Sequence, residues 1–284
     1  MSSVCATASS TSAAAAAARP AALTRRVASS VRGANARRAP RTATGALASA
    51  DASVDVTKVE DKWIAGSLER CGAGAGLDAL RPDAITSLAQ ARVPNSRVED
   101  YRFTDLAALV TTKPVAADAA AGDAVNAAAW TLSAADATRV VLVDGVYKPD
   151  QSNVSGANDG VTVSTISQGA SSEVIGAVAS MRGGVFANIN AATASDAVVI
   201  NVPAGAAVRT PIHVVQLSTS TASKDGEMSS SAPRVAVHVG AGASVSIVEE
   251  FAAAGGSEDG AYWANGVCEV ALEKGAKVTH TMVQ

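Results

Sequence analysis

Aromatic residues are scarce in this 284-residue chain, making up only 3%, although 48% of the residues are hydrophobic. A core of ordinary size must therefore be built from Ala, Val and other small or β-branched side chains, which suit flat, repetitive sheets. Long apolar runs are also missing. The stretch Ala13–Ala18 is too short to span a bilayer, which needs about 20 apolar residues, and no later stretch reaches that length. We therefore expect a soluble protein with no membrane partner.

Acidic residues are absent until Asp51, whereas the first 50 residues contain seven arginines and many Ser, Thr and Ala residues. This composition is typical of an organellar transit peptide, and its Ser/Thr/Ala content favours a plastid over a mitochondrion. A disordered Ala/Arg-rich tail is the alternative. The rest of the chain holds 16 basic against 26 acidic residues, a net charge of −10. Nucleic acid is therefore excluded as an expected partner, because its backbone is bound by clustered Lys and Arg.

Cysteine is rare as well. Of the three cysteines, Cys5 lies in the predicted transit peptide, which leaves Cys71 and Cys268 in the remainder. Two cysteines so far apart form neither a disulfide framework nor a CxxC metal motif. A reducing compartment is the simpler interpretation.

Helical patterns begin the acidic part of the chain. Trp63 and Leu68 are spaced for one face of a helix, and Pro82 suits the first turn of a second one. The glycine run from Gly72 to Gly76 lies between them. It follows a helix-like segment and lacks a strand before it, so a flexible turn is favoured over a dinucleotide-binding loop.

Strand patterns follow further along. The segment RVVLV at Arg139–Val143 is strongly β-forming, and Asp144-Gly145 after it is the short-turn signature of a hairpin. The alternation over Val161–Thr165 indicates another strand. A helical segment is predicted over Ser172–Met181, whereas the Ala-rich stretch 113–126 is either a helix or a surface loop.

The last hundred or so residues contain an internal repeat. Three times, a β-forming run is followed by a Gly-Ala corner with Val three residues after the glycine, and then by a second β-forming run. The corners begin at Gly205, Gly242 and Gly275, at intervals of 37 and 33 residues. A solenoid requires such regular spacing, because each rung stacks on the next and the corner must recur in register. The repeat predicts a parallel β-helix, and a sandwich of antiparallel hairpins is the alternative.

Histidine and cysteine are the first candidates for catalysis or metal binding. We predict that His238 lies on the outer face of its strand and His280 on the inner face, and His213 has no acidic neighbour in sequence. Cys268 and His280 lie on successive β-forming runs and come near one another in a solenoid. The sequence offers no third or fourth metal ligand beside them, so Cys268 is most simply a small buried hydrophobic residue.

Paired acids are the other candidates. Glu249 and Glu250 are adjacent in a strand, so they face opposite sides and cannot act together. Glu258-Asp259 lies in a glycine-rich loop and is predicted to be solvated. No P-loop, nucleophile elbow or HExxH motif occurs. We therefore assign no catalytic, cofactor-binding or metal-ligating residue.

A string inside residues 80–106 is more specific. It runs RVEDYRFTD from Arg97 to Asp105, alternating charged and aromatic positions and ending in a Thr-Asp pair suited to cap the next helix. This string resembles the N-terminal signature of SufD proteins in the SufB/SufD family. The resemblance continues through VVLVDGVYKPDQS, VFANINAATASDAVVINVPAGA and PRVAVHVGAGASVSIVEEF, and it covers nearly all of residues 60–284.

The resemblance implies a SufD-like scaffold subunit of the SUF iron-sulfur cluster assembly system in the chloroplast (plastid stroma). Such a subunit is not an enzyme, holds no cofactor firmly, takes part in transient cluster assembly, and pairs with a SufB-like subunit and a SufC-like ATPase. The family's cluster-related residues lie beyond residue 284, so none is assigned, and we expect a C-terminally truncated chain that is poorly soluble alone. The alternatives are a SufB paralogue and a β-helical carbohydrate-active enzyme with acids converging on one outer face.

The expected fold is mainly β and has three parts. Residues 1–50 are predicted to be a disordered plastid transit peptide. Residues 51–182 are predicted to be a small α-helical or α+β region, and residues 183–284 part of a right-handed parallel β-helix.

Overall fold

The structure is a computed structural model. The residues it describes are 4–7, 56–72, 77–78, 80–132, 138–154, 160–171, 173–179, 184–220, 225–256 and 260–284. Apart from residues 4–7, the predicted transit peptide lies outside these ranges, as do most of the glycine run after Cys71 and the pair Glu258-Asp259. None of the helices in the described ranges is long and apolar enough to cross a membrane.

Helices lie mainly in the first half of the described chain. Asp61 begins the first one by accepting hydrogen bonds from the backbone N–H groups of Trp63 and Ile64, and Pro82 occupies the first turn of the second. Both helices confirm the sequence prediction. The α-helices are α1 (Lys62–Cys71), α2 (Arg81–Leu88), α3 (Ala107–Val110), α4 (Ala119–Asp123) and α5 (Gly184–Thr193).

Strands are numbered in chain order. They are β1 (Val4–Thr7), β2 (Lys113–Ala116), β3 (Arg139–Val143), β4 (Val146–Tyr147), β5 (Thr162–Thr165), β6 (Val198–Val202), β7 (Ile212–Ser220), β8 (Glu227–Ser231), β9 (Arg234–Val239), β10 (Ser244–Gly256), β11 (Tyr262–Ala264), β12 (Val267–Leu272) and β13 (Lys277–Val283). The strand predicted over Val161–Thr165 is confirmed as β5. The stretch 113–126 was predicted to be a helix or a surface loop. It contains the short helix α4, but the prediction is wrong for residues 113–116, which form β2 because they pair with β8, more than 100 residues later in the sequence.

The strands form three sheets. The first has the order β1-β12-β9-β6-β5, the second β13-β10-β7-β3-β4 and the third β11-β8-β2. From β6 onward the chain enters the first, second and third sheets in turn, repeats this order with β9 to β11, and begins it again with β12 and β13. Strand pairs are parallel except β3–β4 and β5–β6. Successive turns of the chain therefore stack in register, so that Val198, Val235 and Cys268 are cross-strand neighbours.

The Gly-Ala corners connect the first sheet to the second. Gly205, Gly242 and Gly275 have φ values of 74°, 70° and 76°, a left-handed conformation that glycine adopts at little cost. The corners also stack: the N–H of Gly205 donates to the carbonyl of Ala241 (2.9 Å), and the N–H of Gly242 to that of Lys274 (3.0 Å). The role predicted for glycine at the recurring corners is confirmed.

The predicted hairpin is also present. β3 and β4 pair antiparallel, and Asp144 and Gly145 between them have φ values of 49° and 82°, as a tight two-residue turn requires. The helix predicted over Ser172–Met181 is wrong for residues 173–178, which form turns and a bend, whereas Ala179 is helical. The reason is non-local, because backbone N–H groups of this segment donate to the distant carboxylate of Glu269 instead of closing helical turns.

Apolar side chains fill the space between the first and second sheets. They are mostly Val and Ile, as the scarcity of aromatic residues predicted. Buried members of this core are Val140, Leu142, Val198, Ile200, Val202, Ile212, Val214, Val235, Val237, Val239, Val245, Ile247, Cys268 and Val270. A second buried cluster joins α1, α2 and α5 to the third sheet, and it contains Phe186 and Trp263.

The architecture is mixed α/β with extensive sheet content. Strands β2 to β5 lie before residue 183, yet they belong to the same three sheets as the strands after it. The predicted division of the chain at residues 50 and 183 stays a prediction.

Candidate functional site

Polar side chains converge inside the otherwise apolar core. Gln216 on β7 donates a hydrogen bond from Nε2 to Oε1 of Glu249 on β10, and Oε2 of the same carboxylate lies 2.9 Å from Nε2 of His280 on β13. Cys268 on β12 completes the group. The ligand atoms of Glu249, Cys268 and His280 all lie within 4.8 Å of one another. We call these three residues the inner cluster.

The residues of the inner cluster are largely buried, and burying their polar groups costs free energy. Glu249 is 2% exposed and Cys268 4%. A buried carboxylate costs free energy unless hydrogen bonds or opposite charge compensate it. Gln216 is 2% exposed, and its Oε1 has no hydrogen-bond partner among the described residues. Native cores seldom keep such groups without a reason, so this region is the strongest candidate for a functional site in the described chain.

Two of the three members, Cys268 and His280, were predicted from the sequence to lie near one another. The predicted approach of Cys268 to His280 is confirmed, and so is the burial of Cys268. Glu249 is the third ligand that the sequence did not offer, because it lies on the neighbouring turn of the chain. Its register opposite Val214 and Met282 places it at the cluster. The sequence did contain one indication of this role: Glu249 is a charged residue at an inward-facing position of an otherwise apolar strand pattern.

The second glutamate faces the other way, as predicted. Oε2 of Glu250 lies 2.8 Å from Nε2 of His213, whose side chain is 1% exposed. His213 thus has the acidic partner that its neighbours in sequence did not supply. Burial lowers the pKa of His213 below its ordinary value, against the opposing effect of Glu250, and Arg139 also lowers it.

This lowered pKa predicts a loss of stability in acid. Unfolded His213 takes up a proton below about pH 6.5, whereas folded His213 resists it, so the free energy of unfolding should fall as the pH drops through that value. His213→Gln is expected to show a shallower fall, measured by urea unfolding at pH steps from about 7.5 to about 5. An unchanged slope in His213→Gln would contradict the assignment.

His238 lies on the outer face, as predicted. Its Nδ1 is 2.8 Å from Oδ1 of Asn201, and its Nε2 is 3.1 Å from Oε1 of Glu273. Glu273 also accepts a hydrogen bond from the N–H of Ala241. These contacts link three stacked turns of the chain, which is a structural role.

A buried ion pair lies on the opposite face of the first sheet from the core. Arg234 and Glu269 have side chains that are 1% and 0% exposed, and both Nε and Nη2 of Arg234 contact Oε1 of Glu269. Asn190 of α5 accepts from Nη1 of Arg234 at 2.8 Å. Glu269 also accepts backbone hydrogen bonds from Gly176, Val178 and Ala179. The ion pair therefore holds two segments against the sheet: Arg234 binds α5 through Asn190, and Glu269 binds the 173–179 segment.

The signature string lies at the surface. Phe103 is 93% exposed, and the guanidinium of Arg102 stands 5.4 Å from its ring centroid. Tyr101, in contrast, packs on Phe186 with ring centroids 5.9 Å apart. Asp105 accepts a hydrogen bond from the N–H of Ala107, the first residue of α3, but the N-cap position is Leu106 and makes no side-chain cap. The exposure of Phe103 shows that core packing does not require this part of the string.

The chain matches two family models in succession. One is described as the SufBD protein N-terminal region and covers residues 70–214, and the other as the SUF system FeS cluster assembly SufBD core domain and covers residues 219–284. The chain is 30% identical over 216 residues to the chloroplastic protein ABCI7 of Arabidopsis thaliana, a match that covers 73% of this chain and 44% of that protein.

A second relative is an iron-sulfur cluster assembly SufBD family protein of Synechocystis. It is 29% identical over 210 residues, which are 70% of this chain and 46% of the relative. The chain thus spans just under half the length of these curated relatives. Because the first family model alone matches half of the chain and the second continues to its last residue, the chain belongs to the SufBD family.

Proposed function

We propose that this chain is part of a scaffold subunit for iron-sulfur cluster assembly and is not an enzyme. The observation that carries the proposal is that two SufBD family models match the chain one after the other, over residues 70–214 and 219–284. The cluster is then the cargo of the assembly system. The adjacent acids Glu249 and Glu250 bond to histidines on opposite faces of their strand, which gives no support to a carbohydrate-active enzyme.

The proposal includes a right-handed parallel β-helix as the scaffold. Three observations support it: the chain enters three sheets in a fixed order, the strands stack in parallel register, and positive-φ glycines recur at the corners. In such a coil each turn contacts only its neighbours, so the stack presents long surfaces to partner proteins. A SufB-like subunit and a SufC-like ATPase are the partners that the family resemblance implies.

We also propose that the protein acts in the plastid stroma. The name of the Arabidopsis relative describes that protein as chloroplastic. The acid-free, arginine-containing first 50 residues support import as a transit peptide.

Affinity purification tests the proposal. The protein, expressed from its complete gene with a tag, is co-expressed with the SufB-like and SufC-like proteins of the same organism. We expect both to co-purify with it, and the isolated complex to gain iron-sulfur absorbance when iron and sulfide are supplied anaerobically. A tag-only bait is the control. Failure of the tagged protein to retain either partner would contradict the proposal.

A further inference from the structure

We propose that the inner cluster, Glu249, Cys268 and His280, is a binding site for one divalent transition-metal ion of the borderline class that includes Zn²⁺ and Fe²⁺. The site lies within the core between the first and second sheets. It stands apart from the proposed scaffold function, because it rests on the ligands and their surroundings alone.

The donor atoms suit such an ion. A thiolate, an imidazole and a carboxylate are the three side chains that bind Zn²⁺ in proteins, and three protein ligands leave a fourth position for water or another ligand. Hard ions such as Mg²⁺ and Ca²⁺ prefer oxygen ligands only. Ligand atoms of a tetrahedral zinc ion lie about 3.3–3.8 Å apart, given bond lengths of about 2.0–2.3 Å. The cluster, with all separations within 4.8 Å, needs only small side-chain rotations to reach that geometry.

Charge is the second argument. Within the described residues, Glu249 is contacted by the amide of Gln216 and the imidazole of His280. The equally buried Glu269 has a guanidinium and three backbone N–H groups. Glu249 is therefore compensated far less than the other buried carboxylate in the same stack. A divalent ion supplies the missing positive charge, and Cys268 binds it as a thiolate after releasing its proton to solvent.

Gln216 supports the site independently. It is buried, its Nε2 holds Oε1 of Glu249, and its own Oε1 has no hydrogen-bond partner among the described residues. Outer amide contacts of this kind orient a ligating carboxylate and are common around metal sites. Gln216 is thus a positioning residue. His280, whose side chain is 11% exposed, connects the cluster to solvent and gives an ion a route to it.

The test is metal titration of the purified protein, expressed from its complete gene without partner proteins, after removal of bound metal with a chelator. Co²⁺ is the spectroscopic probe, because a thiolate ligand gives it a charge-transfer band in the near ultraviolet. We expect that band to appear with one Co²⁺ per chain and to disappear when Zn²⁺ displaces it. Cys268→Ser should abolish the band and weaken Zn²⁺ binding by more than about 100-fold, since loss of an outer partner alone typically costs about 10- to 100-fold.

Two further variants keep the result interpretable. Cys71→Ser removes a thiol on α1 outside the cluster and should leave the band and the Zn²⁺ affinity unchanged. Glu249→Gln preserves side-chain volume and hydrogen bonding, and it should weaken Zn²⁺ binding while far-UV circular dichroism stays the same. The proposal is overturned if the wild type shows no thiolate band, if Cys268→Ser retains it, or if Cys71→Ser loses it. Partner proteins are absent from this experiment, so its failure is distinct from failure of the scaffold proposal.

Discussion

Glu269→Ala is expected to lower the free energy of unfolding by about 3–5 kcal/mol, because it breaks a fully buried ion pair from one side. The guanidinium of Arg234, whose side chain is 1% exposed, would lose its only carboxylate partner among the described residues. Backbone N–H groups of Gly176, Val178 and Ala179 would lose their acceptor at the same time. Denaturant unfolding followed by circular dichroism measures the loss.

The matched control is Glu273→Ala on the outer face. Its carboxylate pairs with His238, but the Glu273 side chain is 50% exposed, so we expect a loss of about 0–1 kcal/mol. Equal losses in the free energy of unfolding would show that the buried Arg234–Glu269 pair stabilises the fold no more than the exposed His238–Glu273 pair.

A double variant separates the ion pair from the backbone contacts. Replacing a buried ion pair by hydrophobic residues of similar volume is often neutral or stabilising. Arg234→Met combined with Glu269→Leu should nevertheless stay well below wild-type stability, because the backbone N–H groups of Val178 and Ala179 lose the carboxylate that accepts their hydrogen bonds. Wild-type stability in the double variant would mean that these N–H groups find water instead.

Short sequence motifs correctly predicted the turns whose conformation depends only on the residues within them. Glycine at positive φ marks the corners at Gly205, Gly242 and Gly275, and Asp144-Gly145 marks the hairpin, because short stretches of backbone need those residue types. The 173–178 segment was predicted wrongly for the opposite reason. Its conformation depends on Glu269, about 90 residues away in sequence, and no local pattern reports that contact.

The inner cluster shows the same division. Strand alternation was enough to predict that His280 faces inward and that Glu249 and Glu250 face opposite sides. Predicting that Glu249 lies beside Cys268 and His280 would have required the register between neighbouring strands. The Gly-Ala corners do not fix that register, because they recur at unequal intervals of 37 and 33 residues. The hydrogen bonds of Glu249 to Gln216 and His280 come from that register.

Four of the nine aromatic residues contact one another where the helices meet the third sheet. Trp63 of α1 lies 5.6 Å from Trp263 of β11, and Phe186 of α5 lies 6.0 Å from Trp263 and 5.9 Å from Tyr101, all between ring centroids. Tilted and edge-on pairs of this kind add about 0.5–1.5 kcal/mol beyond the burial of area. Phe186 and Trp263 each contact two of the other three rings, and Phe186 is 0% exposed. Truncating Phe186 therefore removes two of these three ring contacts from a fully buried position.

Phe186→Ala is therefore expected to cost about 3–5 kcal/mol, the range for deleting a fully buried aromatic side chain. Phe103→Ala is the matched control, because the same truncation at a ring that is 93% exposed should change the free energy of unfolding by less than about 0.5 kcal/mol. Urea unfolding followed by tryptophan fluorescence measures both, since Trp263 lies beside Phe186. A small effect at Phe186 would mean that the helices do not depend on this aromatic contact for their attachment to the sheet. A large effect at Phe103 would assign a packing role to the exposed end of the signature string.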